Sequence, residues 1–293
     1  MKTCLHTVSY AGTWGQARLS LDETIHKAAE LGFDGIMLMA RRPHGSILDL
    51  NPERREQIKG HLQQAGVACA CIAGYTDFSA GSEHLDVPIR EMQIAYVTEL
   101  AKLARDLDCP LIRIFTAYET PQLCYSQNWD ACVAAIGECS DRAAEFGVTI
   151  GVQNHHDIAA GADAMRQLIL AVDRDNCRAC FDAWAPTLHG EDVVAAAARL
   201  ADLTVHTTAA DYVKLPRYSY RPELVNYVAQ PPFVQAVPMG EGIVDYLGFI
   251  GALVAGGFDG YLAYEMCSPL RGGGSMENLD ACARKFVEFA KGG

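Results

Sequence analysis

The chain has 293 residues, half of them apolar and only 20% charged. That supplies enough apolar material for one large α/β core and shows no disordered or fibrous bias. With 36 acidic against 24 basic residues, net −12, a nucleic-acid partner is disfavoured. No run of about 18 apolar residues marks a membrane span, and the N-terminus Met-Lys-Thr-Cys-Leu-His lacks the apolar core of a secretion signal, so it reads as mature soluble protein.

In chain order, strand-like and helix-like patterns alternate. Residues 5–9 are short and apolar. Residues 19–31 have helical spacing, opened by Ser20 with Glu23 three positions on and closed by Gly32. A second apolar run covers 35–39, a helix 52–65 ends at Gly66, and a third strand covers 67–73. Helix 89–107, strand 111–115 and helix 129–146 follow, the last ending at Gly147. The second half repeats the rhythm with strands at 148–153, 177–182 and 203–207 and helices at 161–172 and 190–200. An irregular segment rich in proline and tyrosine spans 211–242, and helix 243–256, strand 260–265 and helix 275–291 close the chain.

These are eight strand-then-helix units whose strands read as continuous apolar runs, the pattern of buried parallel strands. The expected fold is one α/β domain over residues 1–293, a (β/α)8 TIM barrel with an elaborated loop after strand seven. A doubly wound sheet would place a Gly-rich phosphate turn after an early strand, but the first turn is Ser9-Tyr10-Ala11-Gly12-Thr13. The eleven cysteines sit mostly in apolar segments, as free thiols do in a reducing compartment. The Cys177-x-x-Cys180 pair has no second pair at zinc-finger spacing. The compartment reads as cytoplasmic.

In such a barrel the chemistry lies at the C-terminal strand ends. Strand five ends Gln153-Asn154-His155-His156-Asp157, strand six Phe181-Asp182, strand seven Val205-His206 and strand eight Tyr264-Glu265. Four consecutive strands thus finish with a group able to bind a metal. Gln153, Asp182, His206 and Glu265 together suit one hard or borderline divalent ion, Mn²⁺ first, with Mg²⁺, Co²⁺ or Zn²⁺ as alternatives. Each could also be an ordinary polar strand end.

The motifs Phe181-Asp182-Ala183-Trp184, Val205-His206, Tyr264-Glu265 and Gly240-Glu241-Gly242 resemble the xylose-isomerase-like TIM barrels, the sugar isomerase and epimerase superfamily. That resemblance implies one divalent metal at the ends of strands five to eight, and a metal-dependent enzyme, either a sugar isomerase or epimerase or a lyase acting on a keto sugar. Gln153 departs from it, because the family has Glu there. A carboxamide oxygen can ligate but cannot act as a base, so a mechanism with two carboxylate bases is in question. His155 would share a strand face with Gln153. It is either the base, a metal ligand in place of Gln153, or a partner of loop backbone, and His156 is a second candidate. The Gln-Asn-His strand end also resembles the catalytic barrel subunit of C-glycoside deglycosidases.

The expected first step is proton abstraction next to a carbonyl of a sugar or related polyol, and a non-catalytic sugar-binding or partner subunit is the reading from another class. An endonuclease for abasic DNA needs more metal ligands and a basic groove, which net −12 opposes. Arg113 and His6 are candidates to hold substrate or to sit in the barrel core, and Trp184 is a further candidate contact. Arg41 and Arg42 read as solvated. Arg271, in the Gly-rich loop before the last helix, suggests a phosphate site or a plain cap. Lys214, Arg217, Tyr218, Tyr220, Arg221, Asn226 and Tyr227 suggest a lid, a sugar-stacking wall or a contact in a homo-oligomer or with a partner subunit.

Overall fold

The structure, a computed structural model, describes residues 1–83 and 86–292. Its elements run β1 (Lys2–His6), α1 (Leu21–Glu30), β2 (Gly35–Met39), α2 (Pro52–Ala65), β3 (Ala68–Ala73), α3 (Ile89–Asp106), β4 (Leu111–Ile114), α4 (Tyr125–Ala144), β5 (Thr149–Gln153), α5 (Ala162–Val172) and β6 (Cys177–Cys180). The chain continues through α6 (Trp184–His189), α7 (Val193–Leu200), β7 (Thr204–Ala209), β8 (Asp211–Arg221), β9 (Asn226–Val237), α8 (Tyr246–Ala255), β10 (Tyr261–Tyr264) and α9 (Met276–Gly292). Strands β1–β7 and β10 are parallel and close into a barrel in the order β1-β10-β7-β6-β5-β4-β3-β2. The expected (β/α)8 TIM barrel is therefore the fold. Among the described residues no helix is long and apolar enough to cross a membrane.

Local sequence explains the frame. Ser20 and Glu23 form a full capping box at the start of α1, and Asn51 caps α2 with Pro52 in its first turn. Gly66 ends α2 in the left-handed conformation. Inside the barrel, alternation along each strand puts every second side chain inward. The lower interior is filled by small or flexible apolar groups, including Cys4, Met37, Cys71, Leu111, Cys180 and Ala263. The next inward positions upward are His6, Arg113, Asp182 and Glu265, so the polar residues gather at the upper end by period alone.

The sequence expectations shift in five places. The first strand is Lys2–His6, and Thr7–Tyr10 turn into a short 3-10 helix. α4 begins at Tyr125, earlier than expected, with Gln127 returning to the Cys124 backbone. The segment expected as one helix at 190–200 is preceded by α6, which stops at left-handed Gly190. β7 runs on to Ala209 rather than ending at 207. The largest change is at 211–242, expected as irregular: β8 and β9 form a long antiparallel hairpin. Proline content hid it. Pro216, Pro231 and Pro232 lie where the ladder shifts register between Leu215 and Arg217, and Pro222 lies in the turn, so none interrupts a regular stretch.

The hairpin is rooted by Asp211. Its buried carboxylate accepts hydrogen bonds from the backbone N–H groups of Gly240 (3.0 Å), Gly242 (2.8 Å) and Tyr212 (2.9 Å). A Cβ at Gly242 would collide with that carboxylate, which accounts for glycine there. Hydrogen bonds from backbone to a buried charge are worth more than neutral ones. Asp211→Ala should therefore cost about 2 kcal/mol of stability, read as a lower urea midpoint with unchanged m value. An unchanged midpoint would show that the turn holds without this carboxylate.

Candidate functional site

At the C-terminal end of the barrel lies a cavity of about 110 Å³ lined by Gln153, His155, Asp182, Trp184, Thr208, Tyr212 and Glu265, among others. An adjoining hollow of about 180 Å³ shares His155, Asp182 and Trp184 and adds Asn154, His156 and His189. The site thus gathers the ends of β5, β6, β7 and β10, with the α6 start and the hairpin root as walls.

Asp182 is its best-anchored member. One carboxylate oxygen accepts the Thr208 backbone N–H at 2.7 Å, and the other accepts the Thr208 hydroxyl and the Gln153 amide. Asn154 ties down the backbone around it: its carbonyl oxygen accepts the Asp182 N–H at 2.7 Å and its amide donates to the Asp182 carbonyl at 3.0 Å. Burial still pushes the Asp182 carboxyl up, opposed by the bonds from Thr208 and Gln153. Glu265 is raised for the same leading reason, opposed by the Arg113 charge. The His6 ring, kept neutral by burial, lies beside it with Nε2 3.5 Å from Oε1. Two buried carboxyls pushed up by desolvation make a place where positive charge is favoured.

His206 lies within the barrel and does not line the cavity. The longer β7 explains this: His206 is level with Cys180, and Thr208, two residues on, stands level with Asp182. Thr208 is the residue that the sequence reading missed, because a hydroxyl at a strand end carries no metal signal. Burial lowers the His206 ring to about 3, with the Arg113 charge adding to it, so the ring is neutral. Its Nε2 has no hydrogen-bond partner among the described residues, and neither has Gln153 Oε1.

His155 stands at the mouth with its ring 4.5 Å from that of Phe115 and on the exposed side of the strand end. Its Nδ1 accepts the His156 backbone N–H at 2.9 Å. Desolvation lowers its pKa to about 4, so the ring is neutral and carries its hydrogen on Nε2. His156 has φ +70° and turns its ring onto Tyr118, 3.9 Å between centroids. It lines only the outer hollow. Trp184 and Tyr212 stack 4.0 Å apart as one wall of the cavity.

Arg113 is completely buried beneath the site. It donates to the Gly74 carbonyl at 3.1 Å, stands 3.4 Å from His6 Nε2 and lies over the Phe115 ring at 4.1 Å. It forms no ion pair among the described residues, so its charge acts on the two carboxyls through space. Arg41 is not simply solvated, since its guanidinium lies over Tyr75 at 4.7 Å, whereas Arg42 pairs with Asp49 at the surface. Arg271 pairs with Glu241 behind the hairpin root and does not line the cavity. Arg217 and the hairpin tyrosines 218, 220 and 227 also lie away from it.

The donor set can be judged against a divalent cation by its chemistry. In the cavity Gln153 Oε1 is a buried acceptor without a partner, and Asp182 and Glu265 supply charge, which suits such an ion, whereas His206 Nε2, also without a partner, lies a layer below and outside this set. Among the described residues, however, no three His, Cys, Asp or Glu side chains already form a metal-holding group. Asp182 instead spends its oxygens on Thr208 and Gln153.

The model of the xylose isomerase-like TIM barrel family matches residues 25–285. A fructoselysine 3-epimerase of Escherichia coli O157:H7 is 22% identical over 269 residues, 87% of this chain and 88% of the relative. The structure of D-psicose 3-epimerase with D-tagatose from Clostridium cellulolyticum H10 superposes with a TM-score of 0.75 at 17% identity, covering 99% of this chain and 98% of that one. The probable 3-DHS dehydratase involved in petrobactin synthesis from Bacillus anthracis gives 0.74 at 20% identity, covering 99% of both. At these identities the solved structures establish a shared fold, and the family match over nearly the whole barrel establishes more: the chain belongs to the xylose isomerase-like TIM barrel family.

Proposed function

We infer that this chain is a sugar-modifying enzyme that removes a proton from a carbon beside a carbonyl. Glu265 is the base, and His155 donates a hydrogen bond to the carbonyl oxygen. The observation that carries the reading is the gathering of two buried carboxyls, the unpartnered carboxamide oxygen of Gln153 and a reachable imidazole around one cavity. The similar proteins include a fructoselysine 3-epimerase, a D-psicose 3-epimerase and a probable dehydratase. Epimerisation, isomerisation and elimination beside a carbonyl all begin with this proton transfer, so the likeness supports the shared step more than any one outcome.

The roles follow from protonation. Desolvation raises Glu265, and a raised carboxylate is a stronger base than a solvated one. His155 keeps its Nε2 hydrogen because Nδ1 is occupied by the His156 N–H, so it presents a donor where the sequence had suggested a base. Arg113 holds positive charge beneath the site and steadies Glu265 as a carboxylate. Trp184 and Tyr212 offer a flat apolar wall for a sugar face, and Thr208 and Asn154 fix Asp182. Gln153 cannot return a proton to the opposite face of the carbon. That favours one-base isomerisation or elimination over exchange between two carboxylates.

Gln153, Asp182 and Glu265 would hold a divalent cation, Mn²⁺ by preference, with His206 in the layer beneath them. When bound, such an ion would polarise the carbonyl oxygen. The remaining alternative, a sugar-binding or partner subunit without chemistry, is favoured by one observation: Asp182 is already saturated by Thr208 and Gln153.

The test is exchange of substrate C–H protons with deuterated solvent, followed by NMR on a panel of keto sugars and their glycosides. The wild type with Mn²⁺ should exchange. Glu265→Gln should slow it by roughly 100-fold or more, the usual worth of a positioned base. His155→Ala should slow it by a similar factor of roughly 100 through loss of a hydrogen-bond donor. Exchange at the wild-type rate in Glu265→Gln would remove Glu265 as the base, and no exchange in the wild type on any sugar would favour the binding subunit. A chelator should abolish exchange and Mn²⁺ restore it. Full exchange in the presence of chelator would contradict the cation.

A further inference from the structure

The β8–β9 hairpin leaves the barrel body at Asp211–Tyr212 and returns at Ala236–Val237, and between these points nearly every residue is exposed. Its strands pair with each other, Tyr220 opposite Tyr227 and Leu215 opposite Phe233. At about 3.3 Å per residue the arm reaches roughly 30 Å. A two-stranded ribbon with no covering layer is marginal in water. Yet this one carries Tyr218 at 64%, Leu224 at 63%, Val225 at 79% and Tyr227 at 65% exposure. An apolar, aromatic surface of this kind on a strand pair is a docking surface.

Charge identifies the occupant. Between residues 213 and 235 the arm holds Lys214, Arg217 and Arg221 against Glu223 alone, a net of +2. The whole chain is −12, so everything outside the arm carries −14. The arm therefore repels another arm and is attracted to the body of another copy. On that body, the loops after β3, β4 and β5 expose Glu83, Asp86, Glu119 and Asp157. Among the described residues none of the four joins an ion pair, nor do Lys214 and Arg217 on the arm. Arg90, at the start of α3, is turned onto the Phe78 carbonyl. Tyr118 and Tyr125 stand exposed by the same rim and offer apolar area.

We propose that the chain pairs with a second copy of itself, each arm lying across the acidic rim formed by the partner's loops after β3, β4 and β5. The exchange is reciprocal, as a two-fold dimer requires. Basic side chains of the arm meet the rim carboxylates, and the exposed tyrosines and Val225 supply the apolar area of the contact. The rim borders the hollow that holds His155 and His156, so the tip of each arm stands beside its partner's site.

Sedimentation velocity on the full chain tests this. At about 10 µM, where an interface of ordinary size is occupied, the wild type should sediment as a dimer or a larger even assembly. A wild-type monomer at that concentration overturns the proposal. The double variant Tyr218→Ser, Tyr227→Ser should sediment as a monomer with an unchanged far-UV circular dichroism spectrum, because both side chains are exposed on the arm and outside the barrel core. A variant that keeps the wild-type mass overturns the arm as the contact. Arg217→Glu should weaken association at least tenfold, and adding Glu119→Arg should restore it. Failure of the second change to restore mass overturns the rim as the docking face.

Discussion

The carboxylate of Asp182 is the knot on which the site depends. It sits just past β6 and is bonded by Gln153 from β5 and by both the backbone and the hydroxyl of Thr208 from β7. Asn154 holds the backbone on either side of it. Three neighbouring strands are therefore fixed relative to one buried charge. A buried carboxylate is costly unless it is satisfied, so the same bonds that make it tolerable also give the mouth its shape. The raised Glu265 across the cavity faces Asp182 through the field of Arg113, which is buried and unpaired by any carboxylate among the described residues. The site is thus a balance of two carboxyls and one guanidinium, with neutral imidazoles between them.

That balance was partly legible in the sequence. Strand alternation fixed which residues face inward, so Asp182 and Glu265 could be placed from the strand ends alone. The capping box at Ser20 and the left-handed Gly66 appear as expected because their chemistry is local. Strand seven reads as ending at 207 and runs to Ala209, since its end depends on pairing with β10 and β6 rather than on local composition. The two further residues of β7 bring Thr208 to the rim and leave His206 in the interior. The tautomer of His155 depends on a turn of backbone after β5, which no residue pattern encodes. The hairpin was hidden because its prolines are confined to a register shift and a turn, where they cost no ladder hydrogen bonds.

The arm and the site share one anchor. Asp211 grips the turn at Gly240 and Gly242, and its neighbour Tyr212 stacks on Trp184 in the cavity wall. A load on the arm therefore reaches the aromatic wall through a single residue step. Arg271, which the sequence offers as part of a phosphate site or of a plain cap, pairs with Glu241 at the back of this same root, with Lys285 on the other Glu241 oxygen. Polar residues that looked like ligand contacts in the sequence here serve to hold a projection in place.

On the proposed function, Gln153, Asp182 and Glu265 would hold one cation at the place of proton transfer. The most direct measurement is elemental analysis of the purified chain after loading with Mn²⁺ and dialysis, beside Asp182→Ala treated identically. The account predicts about one divalent ion per wild-type chain and almost none in the variant, since a carboxylate dominates the charge of such a set. A wild-type chain that retains no ion would contradict it, as would a variant that retains as much as the wild type.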